Sequence, residues 1–111
     1  MADWLTPAEV AAYLDLPGDP AADDNLLLAT AAVKAAVERR RSELDFADPA
    51  FPVLEADVHG GSVMWAALVY QARNAPSGYA GYGDETMMFD SLGARRSEIM
   101  RMVGWRRPVA T

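Results

Sequence analysis

The chain has no cysteine and a single histidine, His59. Without cysteine, disulfide frameworks and thiolate metal sites are excluded, and the composition fits a reducing compartment. A lone imidazole with no paired carboxylate or second ligand in view makes a poor acid–base or metal centre. Beside the Gly60-Gly61 pair it reads as structural or solvent-exposed. No apolar run approaches the roughly 20 residues of a membrane-spanning helix. Met1 is followed by ADWLTPAE, which has neither the basic region nor the apolar run of a signal peptide, so none is expected. Bases are also scarce, 10 against 16 acids, for a net charge of −6. Gripping nucleic acid with the body of the chain needs clustered Lys and Arg, so this balance argues against it. An enzyme needs a polar cluster, and the scattered acids and one histidine offer none. We therefore expect no catalytic, cofactor-binding or metal residues.

What is present is largely helical material. At 111 residues with 51% hydrophobic content, the chain is expected to form one domain with a single core rather than a disordered segment. Alanine dominates the apolar fraction and favours helices. Charge is unevenly placed. Residues 1–90 hold 15 acids and 5 bases, whereas residues 91–111 hold Glu98 against five arginines, Arg95, Arg96, Arg101, Arg106 and Arg107. Arg95 and Arg96 read equally well as complements of a helix C-terminus or as part of a basic surface.

Four helices are expected, near 7–15, 23–44, 57–75 and 91–103, packed around Trp65 and Leu68 in an all-α domain. The first opens with Thr6-Pro7-Ala8-Glu9, a capping box with proline at the first helical position. Leu5 and Val10 fit a hydrophobic staple across that cap, and Val10, Tyr13 and Leu14 form a short apolar face. Leu16-Pro17-Gly18-Asp19-Pro20 stops it. Asp23 or Asp24 caps the second helix. Its stripe is Leu26, Thr30, Val33, Val37 and Leu44, with Ala29, Ala32 and Ala36 allowing close approach of another helix. Arg39-Arg40-Arg41 is either a solvated last turn or a contact with an acidic neighbour. Residues 45–56 read as an irregular linker, since Pro49 and Pro52 oppose a regular helix, with Phe46, Phe51, Val53 and Leu54 pinning it to the core. The third helix carries Val58, Gly61, Trp65, Leu68 and Ala72 at 3-4 spacing, widened by Met64, Val69 and Tyr70. Either it begins after Gly60-Gly61, or those glycines permit close packing.

Pro76 ends that helix. The following Ser77–Gly83 stretch mixes Gly with Tyr and is not a phosphate loop, because it lacks the Lys-Ser/Thr ending and follows a helix. Thr86–Phe89 reads as a short extended segment, half of a hairpin. Ser77–Phe89 is either a surface loop tucking Tyr79 and Phe89 against the domain or an interaction loop reaching a neighbouring subunit. Tyr79, Tyr82, Met87, Met88 and Phe89 suit the second reading, which we prefer, because Tyr and Met make adaptable contacts. The last helix, capped by Asp90 or Ser91, shows Leu92, Ile99, Met102 and Val103 on its apolar side and stops at Gly104. Beyond it, Trp105, Arg106, Arg107, Pro108 and Val109 join an aromatic anchor, two charges and an extended segment. This tail either folds back on its helix or docks on a partner.

Taken in order over nearly the whole length, LTPAEVAAYLDLP, DDNLLLATAAVKAAVERR, ALVYQARNAPSGYAGYG and the terminal MVGWRRPVA resemble the small head-to-tail connector proteins of tailed bacteriophages, also called adaptor or head-completion proteins. The resemblance implies a non-catalytic virion protein without cofactors, assembled in the bacterial host cytoplasm and located at the head–tail junction. It implies a cyclic homo-oligomeric ring of about a dozen copies beneath the portal protein. Such a ring extends the DNA channel, lets packaged DNA pass without specific binding, and offers a surface to the next connector or the tail terminator. Acidic character suits a channel wall that does not hold DNA. On charge and pattern, Trp105–Val109 is assigned to portal docking and Tyr79, Tyr82, Met87, Met88 and Phe89 to the neighbouring copy. The alternative is a small helix-turn-helix DNA-binding regulator built on the Thr6–Leu44 helices, whose shortage of bases counts against it.

Overall fold

The computed structural model describes residues 3–73 and 95–104. Within them lie five helices and no strand: α1 (Pro7–Leu14), α2 (Asp24–Arg40), α3 (Phe51–Leu54), α4 (Ala56–Arg73) and α5 (Arg96–Val103), with a 3-10 turn at Pro20–Ala22. The all-α expectation holds. No described helix is long and apolar enough to cross a membrane.

α1 begins as its sequence dictates. Thr6 is extended, its side chain accepts from the Glu9 N–H, and the Glu9 carboxylate accepts from the Thr6 N–H at 2.9 Å. Leu5 and Val10, the staple pair, are both buried. Asp15, in the left-handed region at φ 55°, ends the helix. Asp23, not Asp24, caps α2, with Oδ1 accepting from the Leu26 N–H at 3.2 Å. The stripe on α2 is Leu26, Ala29, Thr30, Val33, Ala36 and Val37, all buried. Leu44 packs only partly against it. The helix stops at Arg40, short of the expected Leu44, because Arg41 leaves helical geometry at φ −114°, ψ 48°.

α4 is the centre: it touches each of the other four helices. Trp65 is fully buried on it, alongside Val58, Val63, Ala66, Ala67 and Val69, while Leu68 is only half-buried. Gly60 and Gly61 lie inside the helix rather than before it. Gly61 is where α5 crosses. A Cβ there meets Met102 Cβ at 2.8 Å and Val103 Cγ1 at 3.0 Å, with the Val103 backbone N at 3.3 Å. None of these is the free end of a flexible side chain, so the two backbones approach this closely only over glycine.

Several expectations are corrected. The 45–56 linker is not wholly irregular: Phe51–Leu54 makes one helical turn with Pro52 in its first turn, where the missing N–H costs no helical bond. A single turn buries one side only. Phe51 takes it, at the edge of a cluster with Phe46 (ring centroids 4.9 Å apart) and Trp4 (5.3 Å), while Val53 and Leu54 point out at 80% and 68% exposure. Tyr13, assigned to the apolar face of α1, is exposed. α5 begins at Arg96 with no side-chain cap. The expected caps Asp90 and Ser91, and Leu92, fall outside the described residues.

Long-range polar contacts tie helix ends together. Arg41 Nη1 donates to the Val103 carbonyl at 2.7 Å, and its Nε to Glu43 at 2.7 Å. At least one of the three consecutive arginines is therefore a tie between α2 and α5 rather than a solvated charge. Gly104 takes the left-handed conformation, φ 71°, that favours glycine, and its backbone lies beside the Arg41 guanidinium. Trp4 Nε1 donates to Glu38 at 2.9 Å. Asp3 pairs with Lys34, whose hydrogen bond and charge hold that carboxyl below its ordinary range.

Two substitutions one position apart separate propensity from packing. Gly60→Ala meets only Met102 Cε, at an ordinary 3.5 Å, and should be neutral or stabilise by up to about 1 kcal/mol through helix propensity. Gly61→Ala should destabilise despite the same propensity gain, because α5 must shift. Trp65→Ala should cost about 3–5 kcal/mol. Urea denaturation of the three variants checks all of these; equal effects at Gly60 and Gly61 would show that the α4–α5 approach is not tight.

Candidate interaction groove

Where α1, α4 and α5 meet, they leave a shallow open groove of about 590 Å³ lined by Glu9, Ala12, Tyr13, His59, Gly60, Val63, Met64 and Met102. Its floor exists because Gly60 contributes no side chain and Ala12 only a methyl. Val63, Met64 and Met102 supply the apolar wall. Its rim is polar. His59 Nε2 lies 2.5 Å from Glu9 Oε2, and Arg95 Nη1 donates to the Tyr13 hydroxyl at 3.2 Å. The Tyr13 hydroxyl, and then Glu98, hold the exposed Arg95 guanidinium above its ordinary value.

The His59–Glu9 contact corrects the expectation that His59 stands without a paired carboxylate. The partner lies 50 positions away in sequence, so no local pattern reveals it. Glu9 serves two structures at once. Its Oε1 accepts from Thr6 N at 2.9 Å and Thr6 Oγ1 at 3.0 Å, completing the α1 cap, and its Oε2 reaches α4. The Glu9 carboxylate fixes the orientation of the imidazole at the rim of the groove. Here the remaining lining is aliphatic or thioether apart from the Tyr13 hydroxyl. Among the described residues no group of three or more His, Asp or Glu side chains is placed to hold a metal ion. An apolar trough with flexible methionines and a polar rim is suited to receiving a side chain of another polypeptide segment.

The sequence-assigned contact residues are not part of this groove's description. Tyr79, Tyr82, Met87, Met88 and Phe89, and the tail Trp105, Arg106, Arg107, Pro108 and Val109, all lie outside the described residues. Of the features that sequence reading passed over, the groove is one. Its parts are separated along the chain, and Tyr13, which the sequence places on the apolar face of the first helix, lines it instead. No family model matches the chain, and no curated protein or solved structure matches it.

The double duty of Glu9 has a measurable consequence. Thr6→Ala should cost about 1 kcal/mol, the usual worth of a helix cap. Glu9→Ala should cost more, since it releases both Thr6 and His59. If chemical denaturation gives Glu9→Ala the same loss as Thr6→Ala or less, the α1–α4 tie adds nothing to stability.

Proposed function

We propose that this chain is a structural protein of the head–tail junction of a tailed bacteriophage, one subunit of an adaptor ring between portal and tail. The observation that carries the reading is the ordered set of motifs from LTPAEVAAYLDLP to MVGWRRPVA across nearly the full length. Two properties of the fold are compatible with it. The helical body is acidic, which suits a channel wall that lets DNA pass. Its surface keeps large apolar side chains in water, Tyr13, Leu28, Val53 and Leu54 among them, and it carries an apolar groove. Of these features, the groove is the one suited to contact with another protein.

In this reading the ring holds about a dozen copies related by a closed rotation. Tyr79, Tyr82, Met87, Met88 and Phe89 reach the neighbouring copy. Trp105–Val109 docks on the portal: Trp105 is desolvated between portal subunits, and Arg106 and Arg107 pair with carboxylates. The tail-side face receives the next connector or the tail terminator. The helix-turn-helix alternative draws little support from α1 and α2. Residues 15–23, nine in all, separate these helices, whereas that motif joins its helices by a turn of about 3–4 residues.

Deleting residues 105–111 tests the docking assignment, with mass in solution measured alone and with portal protein. The truncated chain should keep its helicity and melting temperature, fail to bind portal, and leave DNA-filled heads without tails. Normal portal binding by the truncated chain, or loss of its fold, removes the tail from that role. Salt-dependent DNA binding by the free protein would favour the regulator instead.

A further inference from the structure

Val53 and Leu54 stand side by side in water, 80% and 68% exposed. Apolar side chains scattered singly on a surface need no explanation. Two adjacent ones on a rigid mount form a knob. The α3 turn that carries them is closed by the Val53 and Leu54 N–H groups, which donate to the Ala50 carbonyl at 3.0 and 2.9 Å, and by the Glu55 N–H, which donates to the Phe51 carbonyl at 2.8 Å. Phe51, in the same turn, is buried against Phe46 and Trp4. The pair is held out on a fixed turn, so little backbone freedom is left to lose on contact. The chain around it is acidic: residues 45–58 hold Asp45, Asp48, Glu55 and Asp57 and no base.

The groove is the converse. Val63, Met64 and Met102 wall an open trough of about 590 Å³, larger than the two aliphatic side chains together. The helix that supplies Met102 is basic, with Arg95, Arg96 and Arg101 against Glu98. The pair between Arg95 and Glu98 lies inside that count, so the balance assumes no unpaired cation. Glu9, the one acid in the lining, is already engaged by Thr6 and His59. Neither Val53 nor Leu54 lines the groove of its own chain.

We infer that Val53 and Leu54 of one copy seat in the groove of a second copy. Knob and groove are different surfaces, so the second copy keeps its own knob for a third. Repeated, such a head-to-tail contact closes into a ring or runs on as a filament. The inference deepens the adaptor reading by giving the ring a contact between described residues, and it rests on that reading only for closure and copy number. Aliphatic side chains meet adaptable thioethers. Net charges of opposite sign favour this encounter and oppose knob against knob. Two side chains and their rim bury far less than a standard interface, so the contact between two free copies is weak.

The absence of cysteine allows thiols to be placed singly. Leu54→Cys keeps Val53, Ala12→Cys keeps the groove open, and both positions are exposed. When the two full-length variants are mixed and oxidised, the 12–54 disulfide should form on the order of tenfold faster than either like-with-like disulfide, because seated thiols see a raised effective concentration. Val53→Glu in the Leu54→Cys chain should remove that excess. A chain carrying both substitutions should give a covalent ladder that passes the dimer. No preference for the 12–54 disulfide, or a ladder that ends at two copies, overturns the proposal. Slow maleimide labelling of Ala12→Cys in dilute protein also overturns it, since a segment of the same chain then fills the groove. None of these measurements uses portal protein, so this contact and the portal assignment fail separately.

Discussion

How near α5 can come to α4 is decided at one position. Gly61 removes the side chain that would otherwise hold the Val103 backbone away. With α5 drawn in, Ile99 and Val103 become fully buried against the helix that carries Trp65. The same approach brings the last carbonyl of α5 within reach of Arg41, which closes the far end of α2. It also sets Met102 over Gly60, which makes one wall of the groove. A short helix of eight residues has little intrinsic stability in water. α5 therefore depends on this packing, and the arrangement of three helices depends on the missing Cβ.

A second feature is the reuse of helix-terminal groups as tertiary ties. Glu9 caps α1 and reaches His59 on α4. Asp23 caps α2 through one carboxylate oxygen and accepts from the Tyr70 hydroxyl, near the end of α4, at 2.7 Å through the other. Arg41 ends α2 and satisfies a terminal carbonyl of α5. Helix ends expose unpaired backbone groups and a partial charge, so a charged side chain is already needed there. Letting it serve a second helix fixes the relative positions of the elements without burying an additional charge. Each tie is partly exposed, which keeps desolvation low and the individual energies modest.

This division explains what could be read from the sequence. The α1 cap, the staple, the α2 stripe and the glycine stop at Gly104 are local: each depends on residues within about four positions of one another. The α1 cap and the stop at Gly104 stand, both staple residues are buried, and the α2 stripe holds from Leu26 to Val37 but not at Leu44, which lies beyond the helix. The helical class follows from the same periodicity. What escaped depends on distance along the chain. Trp4 and Glu38 are 34 apart, His59 and Glu9 50, Arg41 and Val103 62. No spacing rule connects them. Val53 and Leu54 were misassigned for a different reason. Apolarity was read as burial, yet a one-turn helix has room for one buried face, and Phe51 occupies it. The sequence leaves the glycine pair open between two readings, because a costly helical glycine is explained only by the neighbour that needs its space. The groove escaped for the same reason, being built from three elements whose meeting is set at Gly61.

The inward and outward faces of α2 show how one sequence meets two demands. Alanine suits both. On the inner side Ala29 and Ala36 let α2 lie close to its neighbours in the core; on the outer side Ala31 and Ala35 leave a shallow track. A track of alanines alone would carry no instruction about what should lie in it.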